Sequence, residues 1–295
     1  MTAALGADAA LAGAERLAVD AMATRFELLL FGPRAAGEEA LAEISRLDAR
    51  LSRFRPGSDV SWINANAVHR AVKVEPTLLA LLRRATAISE ATDGAFDITV
   101  GPLMRAWTFE RETGTLPSPQ LVDGARARVG FRHLVLDPRA STIRFAREGM
   151  SIDLGAIGKG YAVDAAIDVL RGHGVTSALL HGGTSSVHAI GCPPRADAWR
   201  IAWRPPGSPA RVIELRASAL SVSATHGKSF EAGGREYGHV IDPRSGVPTI
   251  AARSAVVTGP SSLECDALST ALLVLGPAWL PSLRRGFPGY DGATG

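Results

Sequence analysis

Helix-like and strand-like patterns are interleaved without a regular alternation along this chain of 295 residues, and this limits the possible folds more than any other feature. Apolar residues recur every three or four positions over 40–54 and over 76–88, where Pro76 takes the favoured first position of a helix. Further helices are predicted over 158–170 and 262–275. Short strands are predicted at 24–31, 134–136, 142–145, 151–154 and 177–180. Long helices among many short strands favour an α+β fold over a doubly wound parallel sheet.

The size and composition fit one folded domain. With 46% apolar and 21% charged residues the chain has an ordinary globular composition, and no internal repeat or long low-complexity linker divides it. We expect a disordered N-terminus over 1–15, a single domain over 16–280 and a loose, Gly-rich tail over 281–295.

Charge and hydropathy argue against two classes of partner. The chain has 32 basic and 29 acidic residues, and a formal net charge of +3 is too small to indicate a nucleic-acid-binding protein. No run of 18 apolar residues is present, which excludes a membrane-spanning helix. Residues 1–20 lack the pattern of a secretory signal, so we expect a cytoplasmic protein.

A glycine-rich loop over 153–160, Asp-Leu-Gly-Ala-Ile-Gly-Lys-Gly, lies between a predicted strand and a predicted helix. Backbone amides exposed by glycines, together with the positive end of a helix dipole, bind phosphate groups. Lys159 would add a full charge toward a diphosphate, and Asp153 would bind a ribose hydroxyl or orient the loop. The spacing matches neither the P-loop nor the dinucleotide-binding glycine motif. A tight turn that only packs a helix on a strand is the structural alternative.

Asp266 and Thr270 are four residues apart in an apolar helical stretch, so both project from one helix face. A carboxylate and a hydroxyl are hard oxygen donors of the kind that Mg²⁺ prefers, with substrate phosphates and water completing its coordination. The alternative interpretation is that both side chains satisfy neighbouring backbone groups or face solvent.

His239 begins a short apolar run that ends at the turn Asp-Pro-Arg-Ser-Gly over 242–246. Histidine changes charge near neutral pH, so His239 is a candidate general base, and His226 is a second candidate. A histidine beside a strand is also a common structural residue, and this alternative stays open.

The loop over 93–103 combines two glycines with an aromatic side chain and two aspartates. Phe96 would stack on a flat ring, and Asp97 would bond the polar edge of that ring. The same residues also fit a turn that leads into a strand. Taken together, these segments indicate a diphosphate ligand with a flat ring, a hard divalent metal and a nearby base.

Five motifs in a fixed order resemble those of the ApbE family of FAD:protein FMN transferases. They are D-G-A-F-D-x-T-V-G-P-L from residue 93, D-L-G-A-I-G-K-G-Y-A-V-D from residue 153, G-G at 182–183, H-V-I-D-P-x-S-G-x-P from residue 239 and D-A-L-S-T-A from residue 266. The resemblance extends over about residues 22–276, nearly the whole predicted domain.

The resemblance implies a single α+β domain in which FAD binds in a cleft between two lobes. Enzymes of this family use Mg²⁺ to cleave the FAD diphosphate, transfer FMN through a phosphoester bond to a Thr or Ser hydroxyl of an acceptor protein and release AMP. By similarity, His239 would act as the base. FAD would be held by Met22, Trp62, Ala95, Phe96, Asp97, Asp153, Lys159 and Ile241. The metal would be held by the carbonyl of Ala156 together with Asp266 and Thr270.

Three positions depart from the family pattern. Ala23 stands where glycine is usual, Gly158 where alanine is usual, and Thr184 where an aspartate follows the two glycines. The carboxylate absent at residue 184 would remove a supporting contact but no named ligand. Three alternatives stay open: a Mg²⁺-dependent FAD diphosphatase in which water replaces the acceptor hydroxyl, a protein that binds FAD without turning it over, and an α+β domain whose motifs are only packing turns.

Overall fold

A seven-stranded antiparallel sheet forms the centre of the protein. The computed structural model describes residues 11–109, 116–225 and 229–295. In these ranges the strands are β1 (Glu15–Ala21), β2 (Thr24–Leu30), β3 (Val72–Lys73), β4 (Leu134–Asp137), β5 (Thr142–Phe145), β6 (Ala178–Gly182), β7 (Ser186–Ile190), β8 (Trp199–Trp203), β9 (Arg211–Leu215), β10 (Ala219–Ala224), β11 (Ser229–Ala232), β12 (Arg235–Gly238), β13 (Ile241–Asp242), β14 (Val247–Pro248), β15 (Ser254–Gly259) and β16 (Asp291–Thr294). The helices are α1 (Arg34–Leu51), α2 (Asp59–Asn66), α3 (Pro76–Ala91), α4 (Gly101–Trp107), α5 (Pro119–Arg126), α6 (Gly158–Gly172), α7 (Ser262–Leu275) and α8 (Leu280–Gly286).

The strands of the central sheet run in the order β1, β2, β6, β7, β10, β15 and β16. Each neighbouring pair is antiparallel. Side chains alternate between the two faces, so Leu28 and Leu30 lie in the main core whereas Leu29 lies in a second apolar cluster on the opposite face. Helices packed on an antiparallel sheet confirm the predicted α+β fold.

Helix α6 lies between α1 and α7 on one face of the sheet and contacts both. The two-stranded sheet of β8 and β9 covers the opposite face, where Trp199 and Trp203 are buried. This layering places the N-terminal turns of α6 and α7 side by side.

The first turns of α6 and α7 cross closely at Gly160. A Cβ added there would lie 2.2 Å from the carbonyl oxygen of Ser262, so a larger residue would force the helices apart. One turn later in α6, the Asp164 carboxylate accepts hydrogen bonds from the amides of Ser262 at 2.8 Å and Leu263 at 3.0 Å. It also accepts one from the Ser261 hydroxyl at 2.6 Å. Asp164 therefore caps the N-terminus of a neighbouring helix.

We expect Asp164→Asn to lower the melting temperature by a few degrees at neutral pH, and by less in acid. Burial alone would raise the pKa of Asp164, but hydrogen bonds from His188, the Leu263 amide and Ser261 hold that pKa below the ordinary aspartate value of 3.8. Because the pKa of Asp164 is lower in the folded protein than in the unfolded chain, the ionised carboxylate stabilises the fold at pH values above the pKa of the unfolded state. This stabilisation is lost as the pH falls through the pKa of the folded state.

The loss at neutral pH should be about 1 to 2 kcal/mol. The test is to measure the melting temperatures of the unmodified protein and of Asp164→Asn from neutral pH down to about pH 3, where aspartates become protonated. A difference in melting temperature that stays constant over this range would contradict the role given to the Asp164 charge.

The predicted helices that correspond to α3, α6 and α7 are confirmed. The first predicted helix continues too far at its C-terminal end, because α1 spans Arg34–Leu51 and the side chain of Phe54 is exposed. Ser52 has an extended backbone, and its hydroxyl accepts hydrogen bonds from the amides of Phe54 and Arg55 at 3.2 Å. This local turn competes with the helix and ends it.

Two further predictions of local structure are wrong. Residues 151–154 join no sheet, because the Asn64 side chain bonds both the amide and the carbonyl of Ile152, at 2.7 and 3.0 Å. The tail over 281–295 is not loose: it contains α8 and the edge strand β16, which pairs with β15.

The predicted disordered N-terminus is only partly described. Residues 1–10 lie outside the described ranges. Leu11 is buried in the apolar cluster under β8 and β9, and β1 begins at Glu15, so disorder is wrong for 11–15.

Within the described ranges, no single helix is long and apolar enough to cross a bilayer. Helix α7 and the segment Pro277–Gly286 reach the required length and hydropathy only as a pair, and a bend of 120° separates them. Apolar side chains of α7 pack in the main core.

Candidate functional site

The glycine-rich loop is held from two sides by Asp153. Its carboxylate accepts a hydrogen bond from the Gly155 amide at 2.8 Å and pairs with Nε of Arg53 at 2.8 Å. Its own amide donates to the Ile98 carbonyl at 2.7 Å. Asp153 therefore orients the loop that leads into α6, which is one of the two roles expected for it.

Lys159 lies in the first turn of α6. Its Nζ is 3.5 Å from the carbonyl oxygen of Gly155, and among the described residues no carboxylate lies within ion-pair distance of it. The helix dipole and the amides of the first turn favour an anion at the same place. The charge of Lys159 is thus available to a phosphate group.

Asp266 connects α7 to the first turn of α6. Its side chain is only 3% exposed, Oδ2 accepts a hydrogen bond from the Gly160 amide at 3.0 Å, and Oδ1 accepts one from the Ser221 hydroxyl at 3.2 Å. Both partners are neutral, and no cationic side chain of the described residues lies within ion-pair distance. Because removing a charge from water is costly, a buried carboxylate normally has a positive partner. The arrangement fits a bound cation.

Several hydroxyl groups lie near Asp266, and that of Ser221 bonds its carboxylate. Oγ1 of Thr270 lies 3.2 Å from the Asp266 carbonyl oxygen and 3.1 Å from Oγ of Ser223. Oγ of Ser223 lies 2.8 Å from Oγ of Ser269. Ser221 and Ser223 are two residues apart in β10 and therefore project from one face of the strand. These are oxygen donors of the kind that Mg²⁺ prefers.

The carbonyl of Ala156 lies just before α6, whose N-cap is Ile157, and no backbone amide of the described residues donates to it. The Gly160 amide is one of the first amides of α6, which have no acceptor within the helix, and it donates to Asp266. Over the described ranges no three His, Cys, Asp or Glu side chains form a metal-binding group, so a Mg²⁺ ion here would depend on hydroxyl, carbonyl and phosphate oxygens as well as Asp266.

The segment around Phe96 is folded into the core. Ala95 and Phe96 are 1% and 2% exposed, and the Phe96 ring packs in the main core. The Phe96 ring is therefore not exposed for stacking on a flat ligand in this structure.

Asp97 shapes its own loop. Its carboxylate accepts hydrogen bonds from the amide and hydroxyl of Thr99, at 2.8 and 2.7 Å, and from the amide of Phe131 at 2.8 Å. Burial raises the pKa of Asp97 despite these bonds. Contrary to the expectation, the buried Asp97 carboxylate bonds to neighbouring protein groups and is not exposed to the polar edge of a ligand ring. A contribution of residues 95–97 to FAD binding stays a prediction.

His239 follows β12 and lies near the strand that supports the hydroxyl cluster. The preceding Gly238 abuts the end of β10, since a Cβ added to it would lie 2.5 Å from the carbonyl oxygen of Thr225. Two residues before Thr225, Ser223 contacts Thr270. The segment that carries His239 therefore runs along the same edge of the site as Thr270.

Ile241 and the turn after it connect this segment to the loop over 93–97. Ile241 is buried in a small apolar cluster with Trp107 of α4. The Arg244 side chain lies against Gly94, 3.8 Å from the position of an added Cβ. His226, the second candidate base, lies outside the described residues.

The turn between β1 and β2 consists of Met22 and Ala23, with φ of 51° and 57°. A left-handed φ costs a non-glycine residue about 1 kcal/mol, which explains why glycine would be favoured at position 23. The Met22 amide donates to Asp48 at 2.8 Å. The turn touches the glycine pair after β6, because a Cβ on Gly183 would lie 2.2 Å from Oγ1 of Thr24.

Trp62 presents an exposed aromatic ring on α2. The residue is 52% exposed, and the guanidinium carbon of Arg70 lies 5.8 Å from the ring centroid. Asn64 of the same helix bonds Ile152, next to Asp153, so α2 is anchored to the glycine-rich loop. Trp62 is therefore available for stacking, as the buried Phe96 is not. Thr184, in the turn between β6 and β7, is also exposed.

The structure joins part of the predicted set into one connected group: Asp153, Ala156, Lys159, Asp266 and Thr270. The other predicted site residues lie on segments that touch this group or one another: Met22, Trp62, residues 95–97, His239 and Ile241.

Sequence reasoning missed several polar residues of the site. Arg53, the ion-pair partner of Asp153, carries no sequence signal that distinguishes it from the many other arginines. Ser221 and Ser223 do carry one, because the alternation Ser-Val-Ser in a strand places two hydroxyls on one face. Asp164 lies inside a quoted motif, but its contact with α7 is not visible in the sequence.

The chain is similar in sequence to the proteins of one known family. Residues 22–289 match the sequence model of the ApbE family. The FAD:protein FMN transferase of Treponema pallidum is 33% identical over 275 residues, which cover 87% of this chain and 76% of that protein. That of Klebsiella pneumoniae is 29% identical over 270 residues, covering 87% and 77%.

Solved structures show the same fold. The ApbE protein of Thermotoga maritima superimposes with a TM-score of 0.87 at 28% identity, over 95% of this chain and 94% of that chain. The apo form of the flavinyl transferase ApbE of Pseudomonas stutzeri superimposes with a TM-score of 0.83 at 30% identity, also over 95% and 94%. The chain therefore belongs to the ApbE family.

Proposed function

We propose that this chain is a Mg²⁺-dependent FAD:protein FMN transferase, which moves FMN from FAD to a Thr or Ser hydroxyl of an acceptor protein and releases AMP. The observation that carries the proposal is the buried Asp266 carboxylate, which binds the amide next to Lys159 and has only neutral partners among the described residues. The names of its relatives in this family support the same activity.

The loop that begins at Asp153 and the first turn of α6 would bind the diphosphate of FAD. Lys159 supplies a positive charge, and the helix dipole adds to it. Arg53 neutralises Asp153, with Nε 2.8 Å from its carboxylate, so this aspartate would not repel the phosphates. The loop can therefore be acidic in sequence and still accept an anion.

Asp266, Thr270 and the Ala156 carbonyl would hold Mg²⁺ beside these phosphates. When bound, Mg²⁺ would supply positive charge that stabilises the transferring phosphoryl group. The chain contributes a buried carboxylate whose position is set by Gly160 and Ser221, at 3.0 and 3.2 Å, so its geometry does not depend on the metal.

His239 would accept the proton of the acceptor hydroxyl. The hydroxyl oxygen forms a bond to the phosphorus on the FMN side, the bond from that phosphorus to the bridging oxygen breaks, and AMP leaves with the bridging oxygen. A base in this role typically contributes about a hundredfold to ten-thousandfold in rate. The expected FAD cleft between two lobes and the cytoplasmic location stay predictions.

The proposal is tested by incubating the protein with FAD, Mg²⁺ and a panel of purified candidate acceptor domains. We expect a denaturation-resistant fluorescent flavin band on one acceptor, formed with Mg²⁺ and absent with EDTA. AMP released without any labelled acceptor, in the presence of every domain, would favour the diphosphatase. Bound FAD that is never cleaved would favour a non-catalytic flavin-binding protein.

We expect Lys159→Ala to weaken FAD binding at least tenfold and riboflavin binding less than twofold. Riboflavin lacks the diphosphate that Lys159 is proposed to contact, and about 1.4 kcal/mol corresponds to a factor of ten in affinity. Lys73→Ala, at an exposed position of β3, is the matched control and should change neither affinity. Titration by flavin fluorescence measures both ligands, and equal losses of affinity in Lys159→Ala would refute the phosphate contact.

A further inference from the structure

Helices α6 and α7 bind each other through two reciprocal carboxylate contacts. Asp266 of α7 accepts a hydrogen bond from the Gly160 amide in the first turn of α6 at 3.0 Å. Asp164 of α6 accepts hydrogen bonds from the first amides of α7, those of Ser262 and Leu263, at 2.8 and 3.0 Å. Each helix therefore provides a carboxylate for the N-terminal amides of the other.

The two contacts are one helical turn apart on both helices. Gly160 and Asp164 are four residues apart in α6, and Ser262 and Asp266 are four residues apart in α7. The missing side chain of Gly160 lets the helices approach, as the 2.2 Å distance from an added Cβ to the Ser262 carbonyl oxygen shows. A shift of α7 along α6 would break both contacts together.

Asp164 is itself held in place by His188, a residue of the central sheet. Nδ1 of His188 in β7 lies 3.2 Å from Oδ1 of Asp164 and 2.8 Å from Oγ of Ser262. On its other side, Nε2 of His188 lies 3.4 Å from a nitrogen of Arg171. The guanidinium group can only donate, so Nε2 accepts and the ring proton lies on Nδ1, directed at Asp164 and Ser262. Arg171, His188, Asp164 and Ser262 thus form a chain of contacts across α6, β7 and α7.

We propose that Asp164 is a positioning residue of the metal site: by holding the N-terminus of α7, it sets the position of Asp266 and Thr270 on α7 relative to Lys159 on α6 and to the Ala156 carbonyl just before α6. This inference rests on the proposed function, because it assigns Asp164 a role in that same site. Asp164 has no role in binding FAD or in proton transfer.

The physical reason is that Mg²⁺ tolerates little variation in the positions of its ligands. The proposed ligands are Asp266 and Thr270 on α7 and the Ala156 carbonyl just before α6. They would form a site only if α6 and α7 keep a fixed position along each other. At the crossing point Gly160 contributes no side chain that could interlock with α7. The Asp164 contacts supply the directional restraint that the glycine cannot.

The experiment measures Mn²⁺ binding by electron paramagnetic resonance, in the presence of FAD, with Mn²⁺ as a spectroscopic probe for the Mg²⁺ site. All proteins carry His239→Ala so that FAD is not consumed. We expect Asp164→Glu to weaken Mn²⁺ binding at least tenfold, because the added methylene moves the carboxylate relative to α7. Asp197→Asn, at an exposed carboxylate beside β8 that pairs with Arg200 and Arg216, is the control and should change Mn²⁺ affinity less than twofold.

Asp164→Glu separates positioning from electrostatics, because the charge is kept and only its position changes. An effect through charge alone predicts that Asp164→Glu binds Mn²⁺ normally and that only Asp164→Asn is weakened, and this result would overturn the proposal. FAD affinity in EDTA should stay within twofold of the parent in both variants. Thermal melting identifies any variant that does not fold.

If the Asp164 variants do not fold, substitutions of His188 test the same role more mildly. Asparagine can donate from near the position of Nδ1 and should keep Mn²⁺ affinity within threefold, whereas leucine cannot donate and should lose at least fivefold. Equal affinities for His188→Asn and His188→Leu would overturn the proposal. Failure of the parent protein to bind Mn²⁺ would instead contradict the proposed function, so the two failures are distinguishable.

Discussion

Replacing Asp266 with asparagine is expected to abolish Mg²⁺-dependent cleavage of FAD in a protein that still folds. Asparagine keeps the shape of the side chain and an oxygen for the Gly160 amide, which lies 3.0 Å from Oδ2. It removes the charge that would hold the metal. A loss of about 4 kcal/mol of transition-state stabilisation corresponds to about a thousandfold in rate. The measurement is AMP release at saturating FAD and limiting Mg²⁺.

The control for this variant is Asp168→Asn, in which an exposed carboxylate that pairs with Arg171 at 3.6 Å is neutralised. It should retain the rate of the unmodified protein. Thermal melting should show both variants folded at the assay temperature. An Asp266→Asn protein that cleaves FAD at the unmodified rate under limiting Mg²⁺ would show that the metal lies elsewhere.

Replacing His239 with alanine is expected to reduce FMN transfer about a hundredfold to ten-thousandfold, with the affinities for FAD and Mg²⁺ unchanged within twofold. The proposed base contacts the incoming hydroxyl rather than the diphosphate, so it contributes little to binding in the ground state. Only a neutral imidazole can accept a proton, so transfer by the unmodified protein should rise with pH, and this rise should be missing in the variant. Single-turnover transfer at saturating FAD measures both.

His173→Ala is the matched control, since His173 is an exposed histidine at the end of α6, with Nε2 2.7 Å from Glu39. It should leave transfer and its pH dependence unchanged. A structural His239 would show a different pattern, in which the melting temperature and FAD affinity fall together. If the pH profile is unchanged in His239→Ala, the base assignment is wrong, and His226 is the next candidate.

Much of the fold follows from local periodicity. The apolar spacing that begins at Pro76 predicts α3, and the run from 262 predicts α7, because each pattern reflects one buried helix face. The failure at Phe54 has a local cause, since the Ser52 hydroxyl offers the amides another acceptor. This cause is visible in the sequence, because Ser52 lies four residues before Pro56 and Gly57.

The errors at 151–154 and 291–294 have a non-local cause. The first segment is extended but bonds to the Asn64 side chain, 88 residues away in the chain, rather than to a strand. The second lies in a tail with several glycines, yet it pairs with β15 at the edge of the central sheet. Neither partner can be read from the segments themselves.

The candidate site is likewise only partly predictable from the sequence. The spacing of Asp266 and Thr270 and the glycine-rich loop mark residues for phosphate and metal chemistry without any structure. Their connection does not follow from spacing, because the bond between Gly160 and Asp266 joins residues 106 positions apart. The sequence also does not show which aromatic side chain is exposed for stacking: Phe96 packs in the core, whereas Trp62 exposes its ring.

The central claim is tested most directly by measuring AMP release and covalent flavin on a purified acceptor in the same reaction. With Mg²⁺, FAD and an acceptor whose candidate Thr or Ser is intact, the account predicts equal amounts of AMP and flavin-labelled acceptor, and an acceptor mass increased by one FMN less one water. An acceptor in which that residue is alanine should remain unlabelled. Release of AMP at the same rate with no label on the intact acceptor would contradict the account, because FAD would then be hydrolysed and not transferred.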